Sequence, residues 1–424
     1  MRTPPLWLLA LVLAAFTVQT DDFIVIGVLP AIAADTGVSE TAAGQLVTVY
    51  SLVYALTAPL WGVLLARLPL RRVLSAALAV FTLANLAVVW VEGYPALVAL
   101  RVVAALAGAV VLPAALAAAT TRAPQERRGR YLAAVMTGLT GAILLGVPAG
   151  TWIGAAFGWR ATFVSCGLLG GLALLLAARS LPAAGASREA APEGGAGAPA
   201  PTGTGPGAMA AVRAELAGSL RPLLNLTVVG LLAVTALVVA GNLAFQTYLA
   251  PFLAGLSGVG PHQLSALLVA AGVGGVAGTQ YAGRMVDRVG PRWAFGLSCG
   301  AFCLTMAAFA LLWLTAPVPV WAAAALLVCW SAAAWAVPTT VQALTLARVG
   351  PRAATQAMAV LSSSVYVGAA LGGVGGGLAV AAGAGLVPVV ATLSALSGLV
   401  LALLVTREGT EPESRADTSA RPAG

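Results

Sequence analysis

The sequence predicts an all-α polytopic membrane protein: 12 transmembrane helices arranged as two six-helix pseudo-repeats. Three observations predict it. Of 424 residues, 60% are hydrophobic and 8% charged, with a mean hydropathy of +0.96, whereas a soluble domain carries about 25% charged residues. Apolar runs of about 18 residues or more recur along the whole length, each long enough to cross a hydrocarbon core of about 30 Å as a helix. Backbone groups in lipid must be satisfied internally, and long continuous runs satisfy them as helices rather than as a closed barrel. Finally, the second half repeats the first. Pro30 and Pro251, Gly37 and Gly258, Val38 and Val259, Gly62 and Gly283, Arg67 and Arg288, and Arg71 and Arg292 are pairs at one constant offset of 221, without a gap.

In chain order, helices are expected near 6–29, 41–65, 73–91, 96–120, 131–154, 160–179, 223–249, 263–283, 293–315, 319–345, 355–380 and 386–405. They group into an N-terminal bundle (1–180) and a C-terminal bundle (222–406). The first helix follows Arg2 and has the look of a signal peptide, but no convincing small-residue cleavage site follows it, and the repeat makes it part of the fold. Segment 181–221 is rich in Pro, Gly and Ala and cannot bury a core, so it reads as a flexible cytoplasmic linker. The tail 407–424 reads as disordered and cytoplasmic.

The formal charge is +8, and all 22 basic residues are Arg. They gather in alternate connections: Arg67, Arg71 and Arg72; Arg122, Arg127, Arg128 and Arg130; Arg284, Arg288 and Arg292; Arg348 and Arg352. The intervening connections hold Asp35, Glu40, Glu92 and His262, with Arg160 as their one cation. The positive-inside rule then places the Arg-rich loops and both termini in the cytoplasm of a cell with a bacterial-type inner or plasma membrane. The basic balance is topology and not a nucleic-acid surface. Cys166, Cys299, Cys303 and Cys329 fall within spans and read as small core residues; no His or acid joins them, so no metal site is expected.

Three motifs carry more. "GRMVDRVGPR" (Gly283–Arg292) connects the eighth and ninth spans, with Gly283 placed for close helix approach, Gly290 for a tight turn, and Asp287 able to meet Arg288 or a helix N-terminus. Its first-half copy, "GVLLARLPLRR" (Gly62–Arg72), keeps Gly62, Arg67, Arg71 and Arg72. Ala66 and Pro69 stand in place of the acid and the glycine. "GLTGAILLGVPAGTWIG" on the fifth span sets Gly146, Gly150 and Gly154 around Pro148, which removes a backbone donor and bends a helix. Together with the six-plus-six repeat, these motifs resemble the major facilitator superfamily of secondary transporters. "GVLPAIAADTGVS", "GVPAGTWIGAAFGWRATF" and "TYLAPFL" are similar to its 12-span drug:H+ antiporter subgroup, which includes chloramphenicol-resistance and arabinose-efflux permeases. The resemblance implies gating by the Gly283–Arg292 loop, unequal gating by the two halves, and antiport through the Gly146–Gly154 motif.

The membrane charges complete the reading. Asp21 and Asp22 lie inside the first span and Arg101 inside the fourth, where ionisable residues usually pair, face the interior and mark a pathway. Arg101 lies roughly 8 Å and Asp22 roughly 12 Å from the same membrane face at 1.5 Å per residue, so Arg101 is expected as the counter-charge of Asp22. In the subgroup the acid precedes Phe and lies eight residues before Pro; Asp22, Phe23 and Pro30 fit that register, and Asp21 is a departure from it. Apolar surroundings favour a neutral carboxylate and a nearby Arg a charged one, so Asp22, together with Asp21 and Arg101, is expected to couple protons or substrate. Gln19 shares its face. Tyr50, Tyr54, Asn242, Phe245, Gln246, Tyr248, Trp330, Trp335, Ser363 and Tyr366 are expected to line the cavity.

Other classes fit poorly. "GVGGVA" (Gly272–Ala277) mimics a dinucleotide motif but lies inside a span with no strand before it, and no P-loop pattern exists. The sole His262 lies in a connection, so no catalytic constellation forms. The expectation is a monomeric, proton-coupled exporter of small amphiphilic drugs or toxic metabolites, with no cofactor beyond the proton gradient. The alternative is a sugar or metabolite exporter of the same fold.

Overall fold

The computed structural model describes residues 5–64, 68–124, 127–181, 226–349 and 354–407. Among them are 12 helices long and apolar enough to cross a membrane, and no strand. In the first half these are α1 (Leu6–Thr36), α2 (Glu40–Leu64), α3 (Leu70–Leu86, ending in a 3₁₀ turn over Ala87–Trp90), α4 (Tyr94–Arg122), α5 and α6 (Trp159–Ser180). Helix α5 runs Arg128–Gly141, widens into a π-helical turn over Ala142–Gly146, and continues as Val147–Phe157. The widening falls just before Pro148, whose missing N–H breaks the ordinary ladder.

The second half holds α7, α8 (Pro261–Val289), α9 (Pro291–Trp313), α10 (Val320–Val349), α11 (Ala354–Ala382) and α12 (Val387–Arg407). Helix α7 consists of Leu226–Thr247 and Leu249–Ser257, interrupted at Tyr248 (φ −105°, ψ 24°). Pro251 cannot donate to Thr247 and its ring crowds that carbonyl, which accounts for the break. Its repeat partner Pro30 sits inside an uninterrupted α1, so the two halves differ here. The turn that follows each of these helices does repeat. Gly37 and Gly258 both end their helices with positive φ, 68° and 65°, and their N–H groups bond Ala33 and Ala254.

Alternation of the spans sets Arg71, Arg72, Arg122, Arg284, Arg288, Arg292 and Arg348, with the start of α1 and the end of α12, at one end of the bundle, called here the terminal end. The turns after α1 and α7 lie at the other, distal end. Arg67, the linker from 182 to 221 and the tail from 408 lie outside the described residues. Arg71 donates to the carbonyl of Ala178 on α6, and Arg348 to that of Thr406 on α12 at 2.9 Å.

Packing follows the sequence of small residues. In the first half α1 lies against α2, α4, α5 and α6; in the second, α7 lies against α11 and α12, and α8 and α9 against α10. The halves meet along α2 with α11 and α5 with α8. Cys166, Cys299 and Cys303 are buried, as expected of small core residues; Cys329 is exposed, because its position on α10 points away from the partner helices.

Candidate functional site

Asp21 and Asp22 stand at the middle of α1, their side chains about 100° apart around the axis. That rotation gives them different surroundings. Asp21 turns into the first half and is completely buried, as is Arg101 of α4. Arg101 Nη1 lies 2.8 Å from Asp21 Oδ2, and Nη2 donates to the Asp21 backbone carbonyl at 3.0 Å. The guanidinium lies over the Tyr50 ring of α2 at 4.4 Å and near the Phe163 ring of α6 at 5.5 Å. Asn85 of α3 stands beside the carboxylate. A desolvated pair persists only with such close contacts and aromatic faces.

Asp22 retains 7% exposure. Among the described residues the ion pairs are Arg101–Asp21 and Arg160–Asp35, so Asp22 has no salt-bridge partner. It lies within electrostatic reach of Arg101 and Asp21, and of Tyr50, Tyr54 and Tyr366. The expected Arg101–Asp22 pair is therefore corrected: Arg101 pairs with Asp21. Depth along the membrane could not separate two adjacent residues, and the direction from which α4 approaches α1 decides.

A narrow cavity opens between the halves. Phe23 and Ile26 of α1, Ile143 and Val147 of α5, Gln246 and Leu249 of α7, and Leu268, Ala271 and Gly272 of α8 form its wall, closed by Trp330, Ser331 and Trp335 of α10. Ile26 is one turn from Asp22 on the same face of α1, so the acid stands directly below this wall toward the terminal end. Two aromatic pairs join the halves at that level: Phe23 meets Trp335 edge-on at 6.3 Å, and Tyr54 stacks on Tyr366 at 3.9 Å. Gln19 is half-buried one turn below Asp22, and Ser363 one turn before Tyr366.

Of the expected cavity residues, Gln246, Trp330 and Trp335 line it, and Asn242 donates to the Gln246 side chain at 3.3 Å. Three are corrected. Tyr50 is buried beneath Arg101; Phe245 packs among Phe252, Phe309 and Trp330; Tyr248 is buried between α2 and α11. Their spacing identified polar or aromatic faces, but on an all-apolar helix it cannot say which side is already filled by a neighbour. The other lining residues, on α1, α5, α7, α8 and α10, lie outside the expected set; Phe23, Leu249 and Ser331 each adjoin a residue within the expected sets.

The distal end is sealed by hydrogen bonds across the halves. The Tyr248 hydroxyl reaches the carbonyls of Gly373 at 3.0 Å and Thr41 at 3.3 Å. Thr41 donates to Gly377 at 3.0 Å, Gln45 to Gly373 at 3.3 Å, and Ser265 to Pro148 at 2.8 Å. The tyrosine fits because Gly44, Gly376 and Gly377 leave no β-carbon in its place.

On α5, a β-carbon at Gly146, Gly150 or Gly154 would strike Thr20, Ile24 or Val28 of α1, so this motif does admit a close neighbour. In "GRMVDRVGPR" the turn is confined to Gly290 (φ 82°), while Gly283–Val289 is the end of α8 and not a loop. No described atom lies within 4 Å of a β-carbon built at Gly283. Asp287, Arg288 and Arg292 are exposed, and Asp287 has no ion pair among the described residues. Among the described residues, no charged partner engages the acid latch expected from the sequence.

The family model of the Major Facilitator Superfamily matches residues 11–373 and 231–423. The chain belongs to that superfamily. It is a membrane transporter for small molecules and not an enzyme. It is 31% identical over 414 residues to the inner membrane transport protein YdhP of Escherichia coli K12, covering 96% of this chain and 97% of that one. A chloramphenicol resistance protein of Streptomyces lividans is 36% identical over 284 residues, 67% of each chain. Among solved structures, a bacterial homologue of the human lysosomal transporter Spinster, inward-facing and occupied, aligns with TM-score 0.73 and 17% identity over 94% of this chain and 96% of that one.

Proposed function

We propose that this transporter exports small amphiphilic drugs or toxic metabolites in exchange for protons, by alternating access between its two halves. The observation that carries the reading is Asp22: a carboxylate at mid-membrane, without a salt-bridge partner among the described residues, on the face of α1 that also lines the central cavity. An unpaired carboxylate in such a setting binds and releases a proton more readily than one locked to a guanidinium. The aromatic, weakly polar walls suit a flat amphiphile. The named activity of the Streptomyces lividans relative adds support for drugs as cargo.

In this reading the monomer needs no cofactor beyond the proton gradient, and the Arg-rich terminal end faces the cytoplasm. The test is proton release from everted membrane vesicles on adding a panel of compounds, wild type against Asp22→Asn. Amphiphilic drugs are expected to release protons from wild type and not from the variant. Equal release in both removes Asp22 from the mechanism, and a response to sugars alone replaces the drug reading with sugar export.

A further inference from the structure

At the terminal end of the first half three spans finish at one level: α1 begins at Leu6, α4 ends at Arg122, and α5 begins at Arg128. There the Trp7 ring of α1 stacks on the Tyr131 ring of α5, with centroids 5.4 Å apart and planes 18° from parallel. The Arg122 guanidinium lies over the same Trp7 ring at 5.5 Å. Other arginines at this end are tied to backbone: Arg71 donates to the Ala178 carbonyl and Arg348 to the Thr406 carbonyl. Arg122 is half-buried, yet among the described residues it has neither a hydrogen-bond acceptor nor a carboxylate partner. The described acids of the first half, Asp21, Asp22, Asp35, Glu40 and Glu92, all lie at mid-membrane or at the distal end. Arg127 and Arg130 nearby in the chain are exposed. Even with Glu126, which lies outside the described residues, segment 122–130 holds four arginines and one acid, a net charge of +3.

We infer that Trp7, Arg122 and Tyr131 form a binding site for the phosphodiester headgroup of an anionic phospholipid. A guanidinium presents five N–H donors in a rigid fork that matches phosphate oxygens two at a time. Leaving that fork without an acceptor at the edge of the hydrocarbon is unfavourable. Its depth selects the acceptor. As the last residue of a span, Arg122 stands at the level of headgroup phosphates, and Trp and Tyr rings, apolar with one polar tip, favour that same level. Basic pockets between spans at this depth suit acidic headgroups. The Trp7 face fixes the guanidinium in place, while Arg127 and Arg130 add the attraction that separates an anionic lipid from a zwitterionic one. Leu6 and Leu9 of α1 and Met136 of α5 are exposed on the same two helices, which leaves apolar surface for acyl chains. A soluble anion gains the charges but not that surface. A lipid held here bridges α1, α4 and α5, independently of cargo and of proton coupling.

The test titrates dioctanoyl phosphatidylglycerol and the zwitterionic dioctanoyl phosphatidylcholine onto the purified full-length protein in neutral detergent, with bound lipid counted by native mass spectrometry. Wild type is expected to bind the first about tenfold more tightly than the second. Arg122→Gln is expected to weaken phosphatidylglycerol by about fivefold or more and phosphatidylcholine by less than about twofold. Arg292→Gln, at an exposed arginine on the same end of the second half, should change neither lipid by more than about twofold. Equal binding of the two lipids, unchanged binding in Arg122→Gln, or equal weakening by Arg292→Gln each overturns the site. Displacement of phosphatidylglycerol by inorganic phosphate at equal concentration shows a pocket for free anions and overturns the lipid assignment. If Arg122→Gln does not fold, Arg127→Gln/Arg130→Gln decides alone. Weakening of phosphatidylglycerol by about threefold or more, with phosphatidylcholine unchanged, then supports the site, and unchanged binding of both lipids overturns it.

Discussion

Replacing Tyr248 by Phe removes one oxygen from the distal seal and leaves the ring in its glycine cradle. The hydroxyl reaches the carbonyls of Gly373 at 3.0 Å and Thr41 at 3.3 Å. Both acceptors lie within helices, so neither carbonyl becomes a buried orphan, and the loss is the net value of the bonds alone. The hydroxyl has a single proton that the two carbonyls share, so the loss is that of one hydrogen bond, about 0.5–1.5 kcal/mol. Only the Thr41 contact joins the two halves directly, and at about 1 kcal/mol the expected shift toward the distally open state is at most roughly fivefold. The assay places a cysteine at cavity residue Leu268 in a chain whose 4 native cysteines are replaced. It then measures the rate of modification by a membrane-impermeant maleimide in intact cells and in everted vesicles. Tyr248→Phe is expected to speed labelling from the distal side by up to about fivefold and not from the terminal side. A folded variant with the same rate from both sides would show that the seal does not depend on this hydroxyl.

Two further outcomes concern stability. Gly278→Ala is expected to cost about 2–3 kcal/mol, because its β-carbon would strike the backbone of Ala332, where nothing can rotate aside; Gly300→Ala, which meets nothing within 4 Å, should be neutral or stabilise by up to about 1 kcal/mol. Melting of the detergent-solubilised protein distinguishes them, and equal melting points would refute the packing account. At the distal surface, Arg160 Nη1 pairs with Asp35 at 2.7 Å, with the two side chains 33% and 46% exposed. Asp35→Asn should therefore leave the melting temperature nearly unchanged, and a large drop in thermal stability would contradict it.

The architecture was legible because lipid leaves a chain few options: each apolar run had to become a helix, and charge placement had to follow topology. Gly37 and Gly258, matched by offset alone, end their helices with nearly the same φ. The site was legible in part. The register of Asp22, Phe23 and Pro30 identified the acid facing the other half, yet the partner of Arg101 was misassigned. That choice depends on the azimuth of α4 around α1, a quantity no one-dimensional spacing encodes. Tyr50, Phe245 and Tyr248 were misplaced for the same reason: in a span apolar all round, period does not distinguish the cavity from the interior of a half. Pro251 lies beside a break in its helix while its repeat partner Pro30 stands in an unbroken one, so the letter alone does not decide the bend.

The stepped contact of α5 with α1 has a mechanical consequence. Gly146, Gly150 and Gly154 receive the side chains of Thr20, Ile24 and Val28 respectively, every fourth position on both helices. Such meshing of i±4 rows is the geometry of crossing helices that interlock like two toothed racks. Sliding α1 by one residue or turning it by a fraction of a turn would drive several teeth into bare backbone at once. The two helices must therefore travel as a single stiff beam, carrying Asp21 and Asp22 together with the Ile143 and Val147 wall. Any movement that reshapes the cavity then also moves the carboxylates relative to α10 and α11, so the volume open to cargo and the surroundings of the acid change in one stroke.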